Sequence, residues 1–141
     1  TRGGYIPGGG AVELAVSRDV AHARETVKGM AAYGLDCVSS VLRRPLAQIV
    51  ANAGFNPLEK VEDVMAAQAE RASDALAINC DSGELADMLE LGVCDPTLVK
   101  IHALKAAGEV AEAILRIDTI IKKKDEEGKA AAGRQIGNMD Y

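Results

Sequence analysis

The sequence predicts a mainly helical protein with a small amount of β-structure. Apolar residues recur at helical spacing over most of the stretch 11–115. The composition points the same way, because 48% of the residues are hydrophobic but only 3% are aromatic, with no Trp and one Phe. Such a core must be aliphatic and rich in alanine, which suits closely packed helices. A chain of 141 residues can bury one moderate core of this kind.

A glycine-rich segment, Gly8-Gly9-Gly10, precedes the first predicted helix, which runs from Ala11 to about Val27. Glycine is unfavourable in regular structure, so three in a row need a reason. They form a tight turn, allow another backbone to approach, or expose helix N-terminal N–H groups to a phosphate. A P-loop would continue with Lys-Ser or Lys-Thr, whereas Ala-Val follows here. Spacing alone therefore favours a turn over a phosphate loop.

A second helical stretch follows the break at Lys28-Gly29 and continues to Ala53. Pro45 lies inside this stretch and predicts a kink or a break near Arg44. Gly54 fits the position that ends a helix. The apolar positions of this stretch are Leu35, Val38, Leu42, Leu46, Ile49 and Val50.

A third helix is predicted from its N-terminal signals to about Arg71. Asn56 is the expected N-cap, Pro57 the first helical residue and Glu59 the third. The segment 76–79 is then predicted to be a short strand, with the turn Asp-Ser-Gly at 81–83 closing a hairpin. The segment 84–91 fits either a helix or a strand.

The last predicted helix begins at Asp95-Pro96, with Asp95 as its N-cap, and ends at about Leu115. Alternating apolar residues then predict a C-terminal edge strand, at Leu115, Ile117, Thr119 and Ile121. The charged, glycine-containing residues that follow predict a solvated tail. The sequence contains no internal repeat and no sign of a second domain.

Composition also argues against several classes of function. The net charge of −5 is unfavourable for a nucleic-acid partner, and no apolar run approaches the roughly 20 residues of a membrane span. Cys37, Cys80 and Cys94 lack metal-ligand spacing, so free thiols in a reducing cytoplasm are expected. No local pattern assembles a nucleophile with a base. Composition and spacing alone indicate a soluble helical domain.

Four motifs, taken in order, resemble the chaperonins, which are ATP-driven double-ring folding machines. They are PGGGAVELAV (7–16), PLAQIVANAGFNP (45–57), AINCDSGELADMLELGVCDPTLVK (77–100) and ILRIDTIIKKK (114–124). The resemblance therefore covers residues 7–124. ILRID is similar to the archaeal and eukaryotic-cytosolic type, whereas GVCDPTLVK is closer to the bacterial ring. An archaeal thermosome, or a bacterial chaperonin of the archaeal type, is the expected subgroup.

The resemblance implies a division of the chain and a set of nucleotide contacts. Residues 1–7 would be a remnant of the link to the intermediate domain, 8–124 the C-terminal half of the equatorial ATP-binding domain, and 125–141 a flexible charged tail. The nucleotide-binding residues it implies are Gly8, Gly9, Gly10, Asn79, Cys80 and Asp95. The glycines would lie against the nucleotide, Asn79 and Cys80 beside the adenine, and Asp95 on the ribose hydroxyls. A carboxylate has about four lone-pair sites, so Asp95 could bind a ligand and cap a helix.

The implied cofactor is ATP or ADP with Mg²⁺, but this chain holds neither the family's G-D-G-T-T phosphate loop nor its metal-binding aspartate. No catalytic residue and no metal ligand is therefore expected here, and the chain alone should not hydrolyse ATP. The implied partners are the N-terminal half of the equatorial domain, other subunits of a double ring, and unfolded polypeptides bound by domains outside this chain. The edge strand would pair with a hairpin of the adjacent subunit. The alternative is a non-enzymatic helical association module from a split or decayed chaperonin-like protein.

Overall fold

The fold is mainly helical, as predicted, in a computed structural model that describes residues 3–121. The helices are α1 (Ala11–Arg24), α2 (Met30–Leu42), α3 (Arg44–Asn52), α4 (Pro57–Arg71) and α5 (Thr97–Leu115). The strands are β1 (Tyr5–Pro7), β2 (Leu76–Ile78), β3 (Leu85–Asp87) and β4 (Cys94–Pro96). They pair antiparallel as β1 with β4 and β2 with β3. No helix of the described part is both long and apolar enough to cross a membrane.

The described chain forms two compact units, the first extending to Lys105 and the second beginning at Ala106. The first unit holds an aliphatic core, as the composition predicts, made by Ala11, Leu14, Leu46, Val50, Val61, Val64, Ala77, Ile78 and Met88. Gln68 of α4 is fully buried beside this core. Its Nε2 donates to the carbonyl of Ala11 at 3.0 Å and to that of Leu76 at 2.9 Å, so one amide joins α4 to the start of α1 and to β2.

The start of α1 is determined by Gly10, which has φ +80° and no side chain to cap the helix. A Cβ atom on Gly10 would lie 2.9 Å from both N and Cα of Leu46. Because these are backbone atoms of α3, they cannot move aside as a side chain would. The helix ends at Arg24, three residues before the predicted end, because the hydroxyl and N–H of Thr26 both bond back to the carbonyl of Ala23.

The break predicted from Pro45 is confirmed, because Arg43 separates α2 from α3. Pro45 has no N–H to bond to the carbonyl of Val41, and its ring would clash with that carbonyl in a continuous helix. The chain therefore restarts, with Pro45 tolerated in the first turn of α3.

The helix end predicted at Gly54 is confirmed as well. Gly54 has φ +87°, its N–H donates to Ala51 at 3.0 Å, and the N–H of Phe55 donates to Val50 at 3.1 Å. This pair of bonds is the Schellman motif, which satisfies carbonyls at a helix C-terminus. Asn56 then caps α4 as predicted, accepting a hydrogen bond from the N–H of Leu58 at 3.0 Å.

The predicted hairpin is formed by β2 and β3, and the ambiguous segment 84–91 becomes a strand followed by a turn. The two strands pair with Ala77 opposite Ala86. β3 ends at Asp87, whose carboxylate accepts hydrogen bonds from the N–H groups of Leu89 and Glu90 at 2.8 and 3.2 Å. Such a side-chain turn competes with further strand pairing.

The predicted capping role of Asp95 is wrong. Asp95 lies in β4 opposite Ile6 of β1, a pairing that the sequence did not indicate. The pairing keeps the backbone extended up to Pro96, and α5 begins at Thr97, whose N–H and hydroxyl both donate to the carbonyl of Gly4. Asp95 therefore lies one residue too early to cap the helix, and its carboxylate pairs with Lys100 instead.

The predicted C-terminal edge strand is not formed between Leu115 and Ile121. Helix α5 extends to Leu115, as predicted for the helix, and residues 117–121 have no strand pairing among the described residues. A strand of this length is not stable without a partner, and within the part of the chain that the structure describes no strand pairs with it. Residues 122–124 of the predicted motif and the predicted tail 125–141 lie outside the described residues.

We expect Gly10→Ala to destabilise the chain far more than Gly4→Ala does. Both glycines have positive φ, but a Cβ on Gly4 would meet nothing within 4 Å. The conformational strain of about 1–2 kcal/mol is thus common to both variants, whereas the collision with α3 adds about 1–3 kcal/mol only at Gly10. Urea unfolding followed by circular dichroism measures both, and equal losses would refute a steric role for Gly10.

We expect Ala72→Gly to stabilise the chain. Ala72 follows α4 with φ +48°, a left-handed conformation that is unfavourable for residues with a Cβ. Relief of this strain exceeds the entropy that glycine adds to the unfolded chain, for a net gain of about 0.5–1 kcal/mol in unfolding free energy. Ala53→Gly, at a helix end with φ −77°, is the matched control and should destabilise. A loss of stability in both variants would contradict the strain at Ala72.

Candidate functional site

The strand pair β1–β4 brings the glycine turn, which is Gly8 to Gly10, next to Asp95. The N–H of Gly8 donates to the carbonyl of Val93 at 3.0 Å, which continues the pairing beyond β4. A Cβ atom on Gly8 would lie 3.2 Å from Oδ2 of Asp95 and 3.1 Å from Cγ1 of Val93. The first predicted glycine and the predicted acidic residue are therefore neighbours, although most of the chain lies between them in sequence.

The second glycine of the turn lies on the β2–β3 hairpin. Gly9 has φ +65°, and a Cβ there would lie 2.8 Å from Sδ of Met88 and 3.8 Å from Cβ of Ala77. Ala77 belongs to β2, and Met88 directly follows β3. The turn thus contacts the hairpin at Gly9 and α3 at Gly10. Packing against backbone requires glycine at Gly10, whereas at Gly9 the positive φ favours glycine and the close atom belongs to the flexible Met88 side chain.

Asn79 and Cys80 lie where β2 enters the hairpin turn. The side-chain oxygen of Asn79 accepts a hydrogen bond from the backbone N–H of Asp81 at 2.9 Å. The backbone N–H of Asn79 donates to the carbonyl of Glu84 at 2.8 Å. Cys80 is exposed, with its Sγ 3.9 Å from the carbonyl of Ile78. The hairpin that carries them reaches the glycine turn through Ala77 and Met88, but neither Asn79 nor Cys80 hydrogen-bonds to that turn in the described chain.

Two charged residues outside the predicted set, Glu13 and Lys100, complete this region. Lys100, in the first turn of α5, donates to Oε1 of Glu13 in the first turn of α1, and its Nζ lies 3.0 Å from Oδ2 of Asp95. The exposed fraction of the side chain rises from 10% for Glu13 to 25% for Lys100 and 39% for Asp95. Sequence spacing gives no signal for this cluster, because its members come from three separate elements.

Lys100 carries its positive charge throughout the neutral range. Burial by itself lowers the pKa of Lys100, but hydrogen bonds and charge attraction from Glu13 and Asp95 outweigh it and hold the pKa above its ordinary value. A raised lysine pKa contributes stability that is fully present below the ordinary pKa and is lost as the pH rises through the raised value. The stability that the raised lysine pKa contributes is therefore complete at neutral pH and is lost at strongly alkaline pH.

The cluster of Glu13, Lys100 and Asp95 has a net charge of −1, since two carboxylates face one ammonium. One carboxylate oxygen of Glu13, Oε2, is buried without a partner in the described chain. A negative cluster repels phosphate and accepts hydrogen bonds from hydroxyl groups. The chemistry at Asp95 therefore suits a neutral hydroxyl-bearing part of a ligand.

Other features of the described chain lie apart from this region. A cavity of about 660 Å³ is lined by residues that include Arg71, Asp87 and Glu90, and it contains none of the six predicted site residues. Within residues 3–121, no group of three or more His, Cys, Asp or Glu side chains is arranged to hold a metal ion.

Several known proteins that are similar to this chain are chaperonin subunits. The chain is 35% identical over 143 residues to a thermosome subunit of Pyrococcus abyssi, an alignment that covers 99% of the chain and 25% of that subunit. It is 33% identical over 129 residues to the thermosome subunit beta of Sulfurisphaera tokodaii, covering 89% of the chain and 23% of that subunit. The chain thus spans about a quarter of the length of these relatives.

Structure comparison gives the same result. The crystal structure of a group III chaperonin in the open state superposes with a TM-score of 0.82 and 42% sequence identity, covering 85% of this chain and 24% of that one. The family model of the TCP-1/cpn60 chaperonins matches residues 1–125. The chain, with its glycine turn beside Asp95 and its short hairpin, therefore belongs to the TCP-1/cpn60 chaperonin family.

Proposed function

We propose that this chain forms the adenine and ribose side of an ATP pocket in a ring-forming chaperonin that assists protein folding. The observation that carries the proposal is the contact between the glycine turn and Asp95, because a Cβ on Gly8 would lie 3.2 Å from the Asp95 carboxylate. The contact supports assigning Gly8, Gly9, Gly10 and Asp95 to one nucleotide site, and the packing of Gly9 on Ala77 and Met88 supports adding Asn79 and Cys80 of the same hairpin.

Each proposed contact has a chemical basis. Asp95 offers Oδ1 to a ribose hydroxyl, since in the described chain only its Oδ2 has a partner. A side chain at Gly8 would begin 3.2 Å from Oδ2 of Asp95, so glycine there keeps the carboxylate free of an adjoining side chain. Asn79 and Cys80 stand at the entrance of the hairpin turn, where the resemblance assigns the adenine.

Phosphate and metal binding belong to other residues in this proposal. The negative charge of the Glu13–Lys100–Asp95 cluster is unfavourable next to a phosphate, and the described residues contain no metal-binding group of His, Cys, Asp or Glu. The N-terminal half of an equatorial domain would supply the phosphate loop and the Mg²⁺ ligands. Phosphoryl transfer depends on both, so this chain alone would bind nucleotide weakly and would not hydrolyse it.

The surface of α5 supports a protein partner. None of its residues is buried, and in the first unit it exposes Leu98, Val99, Ile101 and Leu104. Exposed apolar residues on one helix indicate an interaction surface. We assign this surface to the N-terminal half of the equatorial domain. The free, exposed cysteines Cys37, Cys80 and Cys94 fit a reducing cytoplasm.

The exposed face of α5 also favours the second candidate, a non-enzymatic helical association module. Such a module would need the apolar surface but would not bind a nucleotide. Nucleotide binding by a complex of this chain with the N-terminal half of a chaperonin equatorial domain separates the two functions.

We expect this complex to bind ADP, and Asp95→Asn to weaken the binding about tenfold, close to the loss of one hydrogen bond to a charged group. Titration with a fluorescent ADP analogue gives both dissociation constants. Asp74→Asn is the matched control, because it removes a carboxylate from the exposed ion pair with Arg18. No binding by the unmodified complex would favour the association module, and an unchanged affinity of Asp95→Asn would exclude Asp95 from the site.

The proposed role of the C-terminal segment in ring assembly is tested by truncation of a complete subunit that carries this chain. We expect removal of residues 115–141 to prevent ring assembly, and removal of 125–141 alone to leave rings intact. The segment 115–121 alternates apolar side chains and has no strand partner in the described chain, which suits pairing with another subunit. Size-exclusion chromatography with light scattering distinguishes rings from free subunits. Rings formed without residues 115–141 would refute the role.

A further inference from the structure

The cluster of Glu13, Lys100 and Asp95 contains a feature that a purely stabilising ion pair does not require. Glu13 is nine-tenths buried, yet only one of its carboxylate oxygens has a partner in the described chain. Burying a charge with half of its acceptor capacity unused is unfavourable for stability. Glu13 therefore fits a role in holding the Lys100 ammonium in a fixed position.

Lys100 connects this buried carboxylate to the exposed one. Its Nζ contacts Oε1 of Glu13 on one side and lies 3.0 Å from Oδ2 of Asp95 on the other. Glu13 is fixed by α1, which packs into the core directly after the glycine turn. A flexible lysine that is held at its charged end by a fixed carboxylate becomes a rigid donor.

The contact with Lys100 gives the two carboxylate oxygens of Asp95 different surroundings. Oδ2 lies beside Gly8 and forms an ion pair with Lys100 at 3.0 Å, whereas Oδ1 has no hydrogen-bond partner among the described residues. Asp95 is 39% exposed, so without this contact its carboxylate could rotate freely into solvent. Fixing one oxygen sets the direction of the other.

We propose that Lys100 is a positioning residue, anchored by Glu13, that orients the Asp95 carboxylate so that its remaining oxygen accepts a hydrogen bond from a vicinal diol of the ligand. The proposal rests on the function proposed above, in which the diol is that of a ribose. It adds that the preference for a ribose depends on two side chains that do not touch the nucleotide.

The test compares ADP with 2′,3′-dideoxy-ADP, which lacks both hydroxyls, in the complex of this chain with the N-terminal half of an equatorial domain. The quantity measured is the discrimination ratio, the dissociation constant of dideoxy-ADP divided by that of ADP. We expect Lys100→Met, which keeps much of the side-chain volume, to weaken ADP binding about tenfold and to leave dideoxy-ADP binding unchanged. Lys100→Met thus lowers the discrimination ratio. Glu13→Gln, which keeps the shape of the anchor, should lower the ratio as well, but by a smaller factor.

One control variant and one further measurement, the melting temperature, separate a positioning role from structural damage. Lys105→Met removes an exposed lysine from the same helix and should leave the ratio unchanged. A variant that merely loosens the fold weakens both nucleotides equally and lowers the melting temperature without changing the ratio. An unchanged ratio in both Lys100→Met and Glu13→Gln would therefore overturn the positioning role. If the unmodified complex binds neither nucleotide, the proposed function itself fails, and the positioning role fails with it.

Discussion

The close approach of Gly10 to the backbone of Leu46 is the constraint on which the candidate site depends. No side chain fits between the two segments, so the start of α1 rests directly on α3. The preceding glycines cross the β2–β3 hairpin at Gly9 and run alongside Asp95 at Gly8. Glu13, in the first turn of α1, lies against the Lys100 ammonium because of the same placement of α1. The turn, the hairpin and the ion cluster thus meet around the start of α1.

Local signals in the sequence were reliable where the chain alone decides the structure. Pro45 breaks a helix because it lacks an N–H, Gly54 ends one because it accepts positive φ, and Asn56 starts one because its side chain accepts a backbone N–H. Each of these effects acts within a few residues. The hairpin after β2 follows from equally local turn chemistry, with Asn79 bonded to Glu84.

Features that depend on distant partners could not be predicted from the residues themselves. β1 and β4 have three residues each and pair across most of the chain, and this pairing displaces Asp95 from the helix cap that its local sequence favours. The partnership of Glu13 and Lys100 is equally non-local. The edge strand is the converse case, because an alternating pattern forms a strand only where another strand is available to pair with it. The site residues came from the resemblance to chaperonins, and the spacing of the glycines alone would have given only a turn.

The buried amide of Gln68 has a consequence for cooperativity. Its two N–H donors are divided between the first carbonyl of α1 and the first carbonyl of β2, at 3.0 and 2.9 Å. If either element separated, the amide would lose a bond inside the core, where water does not readily replace it. Local opening of the glycine turn and of the hairpin should therefore occur as one event, so that their backbone amides exchange hydrogen together. The two sides of the candidate pocket would then be present or absent as a unit.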